Sequence, residues 1–473
     1  MVWKSIDPIS EKEVGFFVWK RTKRDPHIHR KGDERMNRRD FLKAGSALLG
    51  AAAVGKALIN PKEVKAAAMG RIEKIKITDV RTKMVAVPFA RFGEFRPVTM
   101  WYMTRHASIH CITYIDTDAG ITGVGTQGDQ QVIMNVIRPK LIGKDPFDIE
   151  KIENEELGGP GLGGRWRLFS TDTVAAIDGA LWDIIGRTCN QPLYRLWGGK
   201  VNEPIHLRYW LDCQSPEKQV EEAKKAVARG WKAFKVKLGT DPETDIERMK
   251  ALREGLGDKI ELCFDINGGY PLNVAINTLK KMAKYNPAAI EDPVPCIWPY
   301  DAGALDNMAD IRRITGIPIE AHSHGPNCEE FVIELVKKRA ADTLHLNTSF
   351  VGSILECRRL CAIAEAGGLT VTGQSSASEL GPRNALLLHL YTAERSFQGT
   401  NDNSTHFLEP PSGDIIKNEF RVENGTLKVP EGPGLGVELD EEKVAKYNEV
   451  YRSSEKYRKH EPGLGRKNSY LWH

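Results

Sequence analysis

The eight cysteines of this 473-residue sequence, at 111, 189, 213, 263, 296, 328, 357 and 361, form no C-x-x-C pair. A disulfide framework is therefore not indicated, and thiols in apolar or helical stretches read as buried free cysteines. There is no basic block and no stripe of aromatic and basic residues. The net charge of +4 is spread along the chain, which argues against nucleic acid as a partner. What the sequence does have is 41% hydrophobic and 27% charged residues, enough for a large core and a soluble surface. At about 150 residues per domain, the length suggests two or three folded units.

The N-terminal region has its own character. Residues 36–58 read MNRRDFLKAGSALLGAAAVGKAL: twin arginines at Arg38 and Arg39, then Phe41-Leu42-Lys43, then a small-residue apolar stretch, with AAA at 66–68 as a cleavage site. That stretch is too short and too rich in alanine and glycine for a spanning helix, which takes about 20 strongly apolar residues. The pattern is that of a twin-arginine export signal at 36–68, with Asn37 where serine or threonine is commoner. Read this way, Met36 is the start and residues 1–35 are a non-native upstream segment. The partner is the twin-arginine export machinery, and the mature protein is periplasmic, exported already folded.

From Arg71 to about Gly125 the sequence alternates like strands, with Asp118-Ala119-Gly120 as a hairpin turn. TDTVAAIDGALWDIIGRTCNQPLYRLWGG (171–199) reads as a helix capped by Thr171 or Asp172 and stopped near Gly198-Gly199. After Pro204, seven short apolar runs recur at 205–211, 232–239, 260–267, 288–294, 317–323, 343–349 and 369–374, with helical segments between them. Spaced by roughly 25–30 residues, they are strand–helix units and point to a (β/α) barrel, with an eighth unit near 383–400. The expected organisation is a capping domain over 69–203, a barrel over 204–400, and a tail over 401–473 that returns to the capping domain.

The C-terminal ends of barrel strands are where active sites lie. The second run ends with Lys235 and Lys237, the third with Asp265 and Asn267, the fourth with Glu291, and the fifth with Glu320, His322 and His324. Residues at i and i+2 of a strand share a face. One Lys-x-Lys is more often a solvated edge and one Asp-x-Asn a turn, but their succession on consecutive strand ends makes coincidence a poor account. Carboxylates on successive strand ends of a closed barrel are costly unless compensated, and a divalent cation would compensate them. A nearby cation would also help one lysine of the pair act as a base. Oxygen ligands favour Mg²⁺; a histidine among them shifts the balance toward Mn²⁺, Fe²⁺ or Zn²⁺.

The series KVK, DIN and EDP, with AAIDGALWDIIGRTCNQPLYRLWGG before it and EGPGLGVELDEEKV after it, resembles the enolase superfamily in its mandelate racemase and muconate-lactonizing branch, over residues 71 to about 445. The resemblance implies an α+β capping domain over a (β/α)7β barrel of the TIM type. It also implies one divalent cation, Mg²⁺ first, that binds a substrate carboxylate while a base removes its α-proton. Carried over residue by residue, Lys237 is the base, Lys235 its electrostatic partner, Asp265 and Glu291 are metal ligands, and Asn267 sits beside them. The family's third carboxylate falls at His322 in the lactonizing pattern and at Ser323 in the racemase pattern. His322 is the expected third ligand, Glu320 the alternative, and His324 a substrate contact or proton donor at the rim.

The second acid/base of either branch is missing. Asn347 stands where the racemase aspartate belongs, Gln374 near its histidine, and Phe350 at the lactonizing lysine. Racemisation needs a base on each face of the α-carbon. A one-sided reaction remains: syn dehydration of a sugar acid, with Lys237, His324 or Glu379 protonating the leaving hydroxyl. Asn267, Asn347 and, from the loop 88–106, Arg91, Arg96, Trp101 and His106 are candidate contacts to an anionic, polyhydroxylated substrate. Epimerisation or cycloisomerisation on the same scaffold is the first alternative. A non-catalytic exported protein that binds a metal or a sugar acid is the second. Barrels of this branch assemble, so a homo-oligomer is expected.

Overall fold

In the computed structural model the described residues are 74–158, 169–296, 302–323, 328–375 and 379–465, within the unit Ile72–His473. The expected export signal and His324 lie outside them. A strand β1 (Ile77–Pro88) pairs antiparallel with β2 (Ala107–Thr117), which pairs with β3 (Thr122–Thr126). The β2–β3 hairpin turns through Gly120 at φ +74°, a left-handed value that a side chain would disfavour. Helix α1 (Thr171–Thr188) follows. Ser170, not Thr171 or Asp172, takes its N-cap place, and the helix ends at Thr188, where Asn190 at φ +50° turns the chain. The sequence pattern runs on to Gly199 because a separate short helix, Leu193–Leu196, continues its apolar spacing.

The barrel strands are β4 (Ile205–Leu211), β5 (Ala233–Lys237), β6 (Glu261–Asp265), β7 (Ala289–Glu291), β8 (Ile319–His322), β9 (Thr343–Leu346) and β10 (Thr370–Gly373), each parallel to the next. The eighth strand, β11, is only Asn401–Asp402. It pairs in parallel with β4, and the Asn401 side chain receives the Gly373 amide of β10 at 2.7 Å, so the ring nearly closes. The expected barrel limit at 400 therefore falls just short: two residues beyond it complete the wall. Helices pack outside, from α2 (Pro216–Ala228) and α3 (Pro242–Leu256) on, with N-caps such as Ser215 and Asp241 holding backbone amides. A late helix, Glu441–Ser453, lays Val444 and Tyr447 against Val85, Val87 and Ile112 of the capping sheet. No described helix is long and apolar enough to cross a membrane.

The loop between β1 and β2 folds over the barrel mouth. Thr99 exchanges two hydrogen bonds with the end of β4, receiving the Cys213 amide at 2.8 Å and donating to Asp212 Oδ2 at 3.0 Å. Trp101 donates to the carbonyl of Ile266, just past β6, at 3.2 Å. Gly239, past β5, has φ +96°, and a Cβ there would meet the Trp101 ring at 2.6 Å, so the close approach of lid and barrel requires a glycine.

Candidate active site

Inward-facing side chains of a small barrel stack in layers contributed by alternate strands. Here two of those layers are charged. From β4, β8 and β10 come Arg208, Glu320 and Thr372. Arg208 grips Glu320 through both guanidinium ends, at 2.8 and 3.0 Å, and the Thr372 hydroxyl donates to the same carboxylate. From β5, β7, β9 and β11 come Lys235, Glu291, His345 and Asp402. Lys235 Nζ lies 2.6 Å from Glu291, 2.8 Å from Asp402 and 3.1 Å from His345 Nε2. His345 bridges the two layers, its ring nitrogens 3.1 Å from Asp402 and 3.2 Å from Glu320. All of these side chains are buried.

The protonation states follow from who faces whom. Burial alone would push His345 down, but Glu320, Glu291 and Asp402 outweigh it and raise it to about 9, so it is an imidazolium at neutral pH. Burial likewise opposes the charge on Lys235, yet Asp402, Glu291 and Asp265 hold it well above the ordinary lysine value. Lys235 is thus a fixed cation. Glu291 is the least committed acid: burial and Asp265 push it up to about 7 against Lys235 and His345.

Nearer the mouth, at the ends of β5 and β6, Lys237 makes a direct ion pair with Asp265 and donates to Asn267 Oδ1 at 3.1 Å. Its ammonium lies 4.7 Å from the centre of the Trp210 ring. Burial opposes ionisation of Asp265, but Lys237 and Lys235 hold it below the usual carboxylate range. Asn267, at φ +50°, turns the chain here and donates its amide to Asp265 Oδ1 at 2.8 Å.

Two family models match the chain: the mandelate racemase / muconate lactonizing enzyme N-terminal domain over residues 82–198, and the enolase C-terminal domain-like model over 218–443. Together they span well over half its length. The chain belongs to the mandelate racemase / muconate lactonizing enzyme family of the enolase superfamily. It is similar to a D-galactonate dehydratase family member of Enterococcus gallinarum, 29% identical over 70% of this chain and 87% of the relative. It is also similar to an arabinonate dehydratase of Saccharolobus solfataricus, 28% identical over 68% of this chain and 86% of the relative. The N-succinyl Arg/Lys racemase structure from Bacillus cereus superposes with a TM-score of 0.69 at 25% identity, covering 79% of this chain and 98% of that one. A dipeptide epimerase structure from Enterococcus faecalis, complexed with Mg, shares the fold with a TM-score of 0.66 at 24% identity, covering 76% of this chain and 99% of that one. Enzymes of this superfamily abstract the α-proton of a carboxylate, and this chain is one of them.

The family implies a divalent cation, and the expected ligand set was Asp265, Glu291 and His322. The side chains present do not fit it. Among the described residues, no three Asp, Glu, His or Cys side chains converge as a metal-ready group. Asp265 faces Lys237, and Glu291 faces Lys235. The alternative ligand, Glu320, is held by Arg208. His322 is buried with its ring edge-on to Phe350, 4.9 Å between centres, and 5.8 Å from His345. Lys237 and Lys235 were expected near the acids, but as base and electrostatic partner, not as their direct ion-pair partners. Two further cationic groups, Arg208 and His345, and a fourth acid, Asp402, were missed. Arg208 and His345 did leave a signal, each being a lone polar residue at an alternating position within an apolar run. Asp402 left none, because a two-residue strand has no pattern.

Other expected contacts are also reassigned. Arg91 is fully buried, its guanidinium 2.9 Å from Glu222 and 3.2 Å from Asp212, so it anchors the lid and offers nothing to a substrate. Arg96 is partly exposed beside Glu222 and Gln214, at 3.2 and 2.9 Å. Asn347 caps the turn after β9 by accepting the Ser349 amide, and its own amide binds Gln374. Glu379 is buried in a separate group with Ser375 and Gln127. His106 pairs with Glu461 at 3.1 Å.

Proposed function

We infer that the chain dehydrates a sugar acid to a 2-keto-3-deoxy acid, with Lys237 as the base. The observation that carries this reading is the solitary amine under the lid: Lys237 stands at the barrel mouth, while the positions where the family keeps a second acid/base hold an engaged amide, Asn347, and a phenyl ring, Phe350. Neither takes up a proton. The relatives named as dehydratases, at 29% and 28% identity, support the same reaction class.

Lys237 must give up its proton to solvent before it can accept one, with Asp265 remaining the carboxylate that faces it. The amine then breaks the α C–H bond. The same ammonium returns that proton to the β-hydroxyl as the C–O bond breaks, water leaves from the same face, and the enol tautomerises to the keto acid. Lys235 stays charged below, 3.7 Å from Asp265. Trp101 and the lid exclude water.

A screen of acid sugars, read as 2-keto-3-deoxy product in EDTA and with Mg²⁺ or Mn²⁺, tests the reading. Product from at least one aldonic or uronic acid is expected. Solvent deuterium entering the α-position without loss of water would assign an epimerase instead. No turnover and no exchange on any acid sugar would favour a non-catalytic binding protein.

A further inference from the structure

We propose that this barrel takes up no divalent cation, because the chain supplies its own: the four carboxylates Asp265, Glu291, Glu320 and Asp402 are met in place by Lys237, Lys235, Arg208 and His345. The inference concerns the same barrel mouth but does not depend on which reaction occurs there.

A divalent cation binds where carboxylates carry uncompensated negative charge and free lone pairs. The first condition is not met. Each of these four acids already faces a cationic group, so adding two positive charges beside them in a buried volume is opposed by the desolvation and repulsion that exclude unpaired charge from protein interiors. The compensation is also specific in geometry. Arg208 spans both oxygens of Glu320, which in sequence stood as a ligand in reserve. Lys235 reaches Glu291 and Asp402 together, at 2.6 and 2.8 Å, and lies 3.7 Å from Asp265. An ion bridging Asp265 and Glu291 would sit beside two ammonium groups. The fifth strand, which in this family supplies a third carboxylate, instead supplies a buried imidazole packed on Phe350. The fifth strand thus ends in an imidazole in place of an acid, while in the layers below Arg208 and His345 bring positive charge to Glu320 and Asp402.

The test is direct cation binding by the full chain after EDTA treatment, read by the electron paramagnetic resonance signal of free Mn²⁺ and by calorimetry with Mg²⁺. Turnover is not read, so its outcome stands apart from that of the dehydration assay. The wild type is expected to leave the Mn²⁺ signal undiminished at equimolar protein, with an unfolding midpoint that Mg²⁺ does not move. Lys237→Met, which strips Asp265 of its partner, is expected to tighten Mn²⁺ binding by about tenfold or more. Weak binding that survives both Asp265→Asn and Glu291→Gln lies elsewhere on the surface and agrees with the proposal. One Mn²⁺ held per wild-type chain and lost in Asp265→Asn would overturn it. So would a Lys237→Met protein that folds normally and gains no affinity.

Discussion

Asp402 shows most clearly what a single side chain does here. It is buried and accepts from both Lys235 and His345, so removing its charge leaves two buried cations with one partner fewer. Breaking such a pair from one side costs about 3–5 kcal/mol. Asp402→Asn should therefore lower the unfolding free energy read from urea titration by that amount at an unchanged m-value; a loss within about 0.5 kcal/mol, the range of an ordinary surface change, would mean the network is not taut. Lys237 answers to a different test, because its worth lies in the reaction. Its replacement by methionine should reduce turnover by about 10²–10⁴-fold, the usual contribution of a positioned base. At this scale the sequence was half legible. Lys235, Lys237, Asp265 and Glu291 stand where alternation puts them, at the inward ends of their strands. The full set of partners around them was not legible, because which groups face each other across the barrel is set by distances no sequence spacing displays.

The elements carry the dependence on pH. His389, on the helix Gly381–Ala393, donates to the Leu435 carbonyl at 3.1 Å, and burial lowers it to about 4. His406, just after β11, is lowered to about 3 by burial and by Arg91. Between these values and the ordinary 6.5, the unfolded chain binds protons that the native one refuses, so stability falls as pH drops below 6.5. His345 acts in the opposite sense. Raised to about 9, it contributes stability that is complete below pH 6.5 and is lost as pH rises through 9. Urea midpoints against pH should therefore peak near neutrality. His389→Gln should flatten the acid limb, and an acid limb unchanged in that variant would assign it to other groups. Seven of the eight barrel strands were legible, because buried parallel strands are continuous apolar runs. The eighth was not: Asn401–Asp402 is polar, two residues long, and held by side-chain hydrogen bonds as much as by its ladder.

The described residues of Ile72–His473 form a capped barrel whose lid and core are tied together by charge. Arg91 of the lid is locked to Asp212 and Glu222, Trp101 rests on the strand ends, and the inner barrel balances its own ions. All eight cysteines are free, and burial pushes Cys111, Cys213 and Cys361 up to about 12, which keeps them inert as thiols. That suits a protein folded before it meets an oxidising compartment, as the twin arginines at 38 and 39 suggest. Replacing Arg38 and Arg39 with lysine should hold the chain in the cytoplasmic fraction; unchanged release to the periplasm would remove the export reading. The claim at the centre, that Lys237 takes the α-proton from one face, is tested most directly by NMR of a turned-over acid sugar in D₂O, run in EDTA with wild type and Lys237→Met side by side. The account predicts α-C–H cleavage by the wild type and none by the variant; cleavage by the variant at the wild-type rate would contradict it.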